Sequence, residues 1–170
     1  LAFLDEPSAA PDTTCADEIS GVAFALPGGA VELPEFTFVP YSDASGGFSA
    51  VVPDGWTEAQ AGVYARGNTP LDQTALLLVS VPADLNTFLA AAAQQLGLDA
   101  PPEAVDTREA NGLTWSVYEV EFFGLPTVLA AAEQNGVTYT IQIVTNSPAE
   151  RAALRDALLL PVVDAFTLNQ

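Results

Sequence analysis

The chain of 170 residues contains no histidine, no lysine and no methionine, and its only cations are four arginines. Without histidine or lysine, one chain cannot assemble a Ser-His-Asp, Cys-His or Ser-Lys nucleophile, a lysine Schiff base or a histidine-ligated metal centre. Nucleic acids and anionic membrane surfaces are bound mainly by clustered basic residues. The composition therefore removes the common catalytic systems and makes nucleic acid a poor partner.

Acidic residues number 22, which gives a net charge of -18. Charged residues make up 15% of the chain, against about 25% in ordinary globular proteins, so the imbalance reflects a shortage of bases. So much uncompensated negative charge suits weak Ca²⁺ binding, but Asp54-Gly55, Asp5-Glu6 and Asp17-Glu18 lack the spacing of an EF-hand loop. We expect no cofactor and at most weak calcium binding.

A single cysteine, Cys15, cannot form an internal disulfide. The neighbouring carboxylates of Asp12, Asp17 and Glu18 disfavour its thiolate, so we interpret it as an incidental thiol rather than a nucleophile or an intermolecular link. The chain begins at Leu1 without a methionine, and no segment approaches the ~20 consecutive apolar residues of a membrane span. We expect an exported protein whose leader has been removed, located outside the cell or in the cell envelope.

Residues 1–47 are predicted to form an N-terminal extension. Residues 5–18 are rich in acids and proline, which is typical of a linker or arm. Two β-like runs follow, 19–26 and 31–39, and their prolines favour edge strands; a turn-rich spacer is predicted over 41–47. Apolar runs of this kind suit strand addition to a sheet edge. That edge belongs either to the same chain, which we favour, or to a neighbouring molecule, which would give a head-to-tail polymer.

Residues 48–170 have the pattern of an α+β domain. Strands are predicted at 48–52, 62–66 and 74–81. Asn111-Gly112 and Asn135-Gly136 are dipeptides typical of tight hairpins, and Phe123-Gly124 marks a further reversal. These turns predict a four-stranded antiparallel meander with strands at 103–110, 113–122, 127–134 and 137–144.

Two helices complete the predicted domain. Asp84 is placed to cap a helix that runs to Leu96, and Gly97 supplies its end. Ser147-Pro148 starts a terminal helix that Pro161 breaks or re-initiates. The sequence thus predicts an antiparallel sheet with helices packed on one of its faces.

This order of elements resembles the PsbP/Mog1-like fold group, which includes DcrB-like proteins and bacterial lipoproteins of the LpqN type. The run FSAVVPDGW at residues 48–56 is similar to the opening strand and Pro-x-Gly-Trp turn of that group. The helix after the third strand, the meander with Tyr139 in its last strand and the terminal Ala165-Phe166 also agree. The resemblance covers about residues 48–168. It implies a fold and a mostly non-catalytic binding or assembly role, and it transfers no functional residue.

Glu119 and Glu121 are the one pair of carboxylates with a spacing that suits catalysis. Two residues apart on a strand, they share a face at roughly 7 Å, a separation found in glycosidases. We favour two solvated acids, because no partner group is identifiable. Arg151 and Arg155 lie one helical turn apart and are interpreted as a solvated helix face.

Four aromatic residues fall in one predicted hairpin, which suits either a groove for a sugar or apolar ligand or a packed core. We favour the core for these residues, Trp115, Tyr118, Phe122 and Phe123.

We therefore predict a secreted, non-catalytic interaction or structural protein without catalytic, cofactor or metal residues, whose partner is a protein. A subunit of an extracellular polymer and an accessory domain of a larger secreted enzyme are the alternatives.

Overall fold

A computed structural model describes residues 31–67 and 69–169, which fold into two antiparallel sheets and two helical regions. The strands are β1 (Phe38–Asp43), β2 (Phe48–Pro53), β3 (Thr57–Gln60), β4 (Val63–Ala65), β5 (Ala75–Val81), β6 (Asp106–Ala110), β7 (Leu113–Phe122), β8 (Leu125–Gln134), β9 (Val137–Val144) and β10 (Thr167–Leu168). The helices are α1 (Leu85–Leu96), α2 (Pro148–Leu154) and α3 (Leu160–Ala165), the last two joined by a π-helical turn (Arg155–Leu159).

The larger sheet has seven strands in the order β3-β4-β5-β9-β8-β7-β6, and the smaller has the order β1-β2-β10. The predicted α+β class and antiparallel meander are confirmed, and the meander is formed by β6 to β9. Its three turns all use two residues with positive φ, as hairpins of this type require. These are Asn111 (50°) with Gly112 (79°), Phe123 (50°) with Gly124 (77°) and Asn135 (54°) with Gly136 (74°).

The helices lie on both faces of the larger sheet, whereas the sequence analysis expected one face. The smaller sheet and the α2–α3 region cover one face, where Phe166 is buried in the main core. Helix α1 covers the opposite face through Leu89, which packs against Tyr118 and Leu129. The centre of β8 is buried on both sides because each of its faces has a helical layer.

The last part of the predicted extension belongs to the smaller sheet. Residues predicted as a spacer contribute to β1, which pairs with β2 of the same chain from Phe38 opposite Pro53 to Asp43 opposite Phe48. The predicted boundary between residues 47 and 48 therefore falls in the turn between two paired strands. Residues 1–30, including Cys15 and most of the predicted arm, lie outside the described residues.

Both predicted helix starts are confirmed. Asp84 accepts a hydrogen bond from the Thr87 N–H at the start of α1, and Ser147 accepts one from the Glu150 N–H at the start of α2. The terminal helix continues past Pro161 by widening into the π-helical turn, because proline has no N–H for the regular ladder and crowds the preceding turn.

Arg66 connects the start of α2 to the segment before β5. Its guanidinium donates hydrogen bonds to Asp72, at 2.7 and 3.0 Å, and to Glu150. The Arg66 hydrogen bonds lower the pKa of Asp72 to about 2, helped by donors on Thr74 and opposed by partial burial. This network is structural, since it ties the loop between β4 and β5 to the start of α2.

Candidate functional site

The two glutamates singled out from the sequence lie on β7, and the two arginines reach them. Arg151 Nη2 donates a 2.6 Å hydrogen bond to Glu119, and Arg155 Nη1 lies 3.9 Å from the same carboxylate. The interpretation of Arg151 and Arg155 as a solvated helix face is therefore wrong, because α2 and the π-helical turn lie close enough to β7 for both side chains to approach Glu119. Glu121 lies two residues further along β7 and is exposed.

The four aromatic residues of the hairpin separate into different environments rather than forming one groove. Trp115 is fully buried in the main core, and Tyr118 is buried on the α1 face. Phe122 is half-buried, whereas the side chain of Phe123 is 78% exposed at the hairpin turn. The core interpretation thus holds for the first two residues only.

No group of three or more acidic, cysteine or histidine side chains comes together as a metal site within residues 31–67 and 69–169. Asp54 lies in a turn, where its N–H donates to the Thr37 carbonyl at 2.8 Å. The pairs Asp5-Glu6 and Asp17-Glu18 lie outside the described residues.

Among the described residues, half of β7 has no partner strand on its outer side. Strand β6 has five residues and covers β7 only from Leu113 to Val117. The sequence analysis started this strand at residue 103, which would have covered β7 as far as residue 120. The chain instead approaches through Pro101 and Pro102, which have no N–H to donate to a neighbouring strand. In the part of the chain that the structure describes, the outer side of β7 from Tyr118 to Phe122 is a free edge.

The hydrogen-bonding pattern identifies which backbone groups point out from this edge. In an antiparallel ladder, successive residues bond alternately to one side and to the other. Pro126 lies opposite Glu121 but accepts a 3.0 Å hydrogen bond from Thr145 beside β9, so this pair is not bonded. Val117, Glu119 and Glu121 are alternate residues of β7, so their backbone groups point to the same side. The Val117 carbonyl accepts a 2.7 Å hydrogen bond from the Val105 N–H on the outer side. The N–H and C=O groups of Glu119 and Glu121 therefore point outward.

No backbone partner is found for these four groups in the described part of the chain. Unpaired strand edges are templates for another strand, and proteins usually block them with charge, proline, bulges or short length. Two other edges are blocked in this way: β1 contains Pro40, and β3 has four residues with a bulge between Glu58 and Gln60. The free edge of β7 contains neither a proline nor a bulge, so its backbone groups can accept another strand.

A cleft of about 720 Å³ runs along this edge, within the range of several hundred to a thousand Å³ that is typical of ligand sites. One side is β7 itself, and further lining comes from the end of α1, the segment after it, the hairpin turn and α2. The charged lining residues are Glu103, Glu119, Glu121 and Arg151, and the principal apolar ones are Leu96, Leu98, Pro102, Val120 and Phe123.

Phe123 occupies a turn position that normally selects asparagine. Its φ of 50° matches that of Asn111 and Asn135 in the other two hairpins. A bulky residue with positive φ is strained by about 1–2 kcal/mol, and strain of this kind concentrates at functional sites. The only aromatic contact of Phe123 in the described structure is with Phe122, at a centroid distance of 4.5 Å. An exposed phenyl ring in an unfavourable conformation at a cleft is a candidate contact residue.

Replacing Phe123 with Asn is expected to stabilise the domain by about 1 kcal/mol, because Asn tolerates the left-handed conformation and little buried area is lost. Urea unfolding followed by tryptophan fluorescence would measure the change. Asn135→Phe is the matched reverse substitution in an equivalent turn and should destabilise. A loss of stability in Phe123→Asn would show that the ring packs on the domain.

The described residues define an α+β domain with helices on both faces of its larger sheet and an unpaired half-strand beside a cleft. No protein-family model matches the chain. No curated protein sequence is significantly similar to it. Among solved structures, it is similar to cyanobacterial PsbP (CyanoP) from Synechocystis sp. PCC 6803, with 16% identity and a TM-score of 0.49 over 83% of this chain and 98% of that chain. The match lies in the fold group that the sequence resembles, and it concerns the fold alone.

Proposed function

We propose that this protein is a non-catalytic, extracytoplasmic binding protein that takes up an extended segment of a protein partner as an additional strand on the free edge of β7. The observation that carries the proposal is the set of four outward-pointing backbone groups on Glu119 and Glu121. Strand addition uses main-chain hydrogen bonds for affinity and the flanking surface for specificity. The cleft supplies that flanking surface on both sides of β7.

The chemistry of the cleft supports binding rather than catalysis. Glu119 is held in an ion pair with Arg151, and the sequence has no histidine or lysine that could form a nucleophile system. No helix in the described ranges is long and apolar enough to cross a membrane. The location outside the cytoplasm that we expect from the sequence is part of this proposal.

The test is selection of short peptides from a random display library on the immobilised 170-residue protein, followed by amide hydrogen exchange with the recovered peptides. We expect the Glu119 and Glu121 amides to become protected when peptide binds, whereas the Val120 amide, which bonds to β8, is protected before and after. Recovery of no binding peptide, or of peptides that leave the exchange of both glutamate amides unchanged, would overturn the proposal.

Two substitutions of one residue separate backbone recognition from side-chain recognition. Glu121→Pro removes an outward N–H and is tolerated at a strand edge, so it should abolish binding of the selected peptides. Glu121→Ala keeps the N–H and should retain binding to part of the selected set. Equal binding to Glu121→Pro and to the unmodified protein would contradict the proposed mode.

A further inference from the structure

We infer that the strand bound at β7 comes from a different protein and alternates basic with apolar residues. This inference rests on the proposed function and adds the chemistry of the partner. In a sheet, residues directly opposite each other lie on the same face. Partner residues opposite Glu119 and Glu121 therefore share the face of these carboxylates, and the residue opposite Val120 lies on the α1 face.

The carboxylate side of the cleft favours cations. The charged residues that line it are Glu103, Glu119 and Glu121 against Arg151 alone, within a chain of net charge -18. Arg155 approaches Glu119, but it also lies 3.2 Å from Asp156 and 3.9 Å from Asp106. Opposite charges directly across two strands stabilise their pairing, and a surrounding field of one sign speeds the association of an oppositely charged partner.

The α1 side of the same edge favours apolar side chains. A second, largely apolar cavity of about 200 Å³ lies between α1 and the sheet. It shares Gln95, Leu96 and Val120 with the cleft along β7, so the two spaces adjoin. Cavities of this order accept groups the size of a benzene ring. An aliphatic or aromatic side chain opposite Val120 is therefore directed toward the mouth of this cavity.

A second copy of this chain does not have the required chemistry. All four arginines already pair with carboxylates: Arg66 with Asp72, Arg108 with Asp164, Arg151 with Glu119 and Arg155 with Asp156. Residues 1–47 contain eight acids and no base, so the N-terminal arm has no cation to place opposite Glu119 and Glu121. Glu119 and Glu121 also oppose edge-to-edge pairing of two copies, because like charges directly opposite each other are destabilising.

The test uses three labelled eight-residue peptides and the 170-residue protein, with affinity measured by fluorescence anisotropy. One peptide alternates Lys and Val, one alternates Glu and Val, and one has four Lys followed by four Val. We expect the alternating Lys-Val peptide to bind about tenfold or more tightly than the other two, and to weaken as salt is raised. Equal binding of the Glu-Val peptide, or of the block peptide, would overturn the inference.

Substitutions assign the effect to the cleft. Glu121→Gln removes one charge and keeps the backbone, and it should weaken binding of the Lys-Val peptide several-fold. Glu58→Gln on β3, at the other end of the larger sheet, removes the same charge and should leave binding unchanged. Equal effects of the two variants would show a general field effect and overturn the inference. If peptides bind without regard to charge but still fail to bind Glu121→Pro, the proposed function stands and only the partner chemistry is wrong.

Discussion

Replacing Phe166 with Ala is expected to destabilise the domain by about 3–5 kcal/mol, the usual cost of truncating a fully buried aromatic side chain. Phe166 is 1% exposed and follows α3. Its ring stacks on Phe48 at 4.9 Å and meets Trp115 edge-on at 4.9 Å, with Tyr139 at 5.5 Å. One side chain thus joins the smaller sheet, the larger sheet and the terminal helix. Urea unfolding at neutral pH would measure the loss.

The matched control is Phe123→Ala, the same chemical change at a position that is 78% exposed. Its effect on the free energy of unfolding should stay within about 0.5 kcal/mol, as for surface substitutions in general. A loss below about 1 kcal/mol in Phe166→Ala would mean that the two sheets do not share one core. Comparable losses in both variants would contradict the burial assigned to each ring.

Local signals in the sequence predicted the local elements well. Asn111-Gly112 and Asn135-Gly136 provide the positive φ that tight hairpins need, so the strands on either side could be placed to within a few residues. Asp84 and Ser147 could be recognised as caps because their side chains satisfy N–H groups within their own segments. Each of these features depends on residues that are close in the chain.

The arrangement of the layers was harder to predict because it depends on contacts between distant residues. The position of α1 opposite α2 follows from which face of β8 each helix covers. A signal was present in the uninterrupted apolar run at 128–132, since a strand covered on one face only would alternate. Strand β10, with two residues beside β2, has no pattern of its own.

The free edge was missed for a similar reason. Predicting β6 from residue 103 gave β7 a nearly complete partner, whereas β6 begins at Asp106. The length of a strand depends on whether its neighbour accepts its hydrogen bonds, and propensity alone does not determine this. Pro101-Pro102 also limits how far the chain can pair with β7, because neither residue has an N–H to donate.

Proline is expected to destabilise the domain by several kcal/mol at position 120 of β7 but much less at position 121. This difference can be measured without a binding partner. Val120 lies opposite Thr127 and belongs to a hydrogen-bonded pair of the β7–β8 ladder. Its side chain packs against the buried residues on the α1 face, which include Leu89. Val120→Pro removes a ladder hydrogen bond, leaves a carbonyl of β8 unpaired and forces the ring into a packed strand. We expect a loss of about 3 kcal/mol or more. Thermal unfolding by circular dichroism, supported by urea titration, would measure it.

Glu121→Pro tests the same strand at a neighbouring residue whose backbone groups point away from β8. Its N–H points away from β8, so no protein hydrogen bond is lost, and we expect a cost of about 1 kcal/mol or less. The contrast between the two prolines reports directly on the direction of the backbone groups, and it does not depend on any ligand. Equal destabilisation by both substitutions would show that Glu121 is bonded within the fold, and the free edge would not exist. A stable Glu121→Pro variant would make it possible to assign a loss of partner binding to the missing N–H rather than to unfolding.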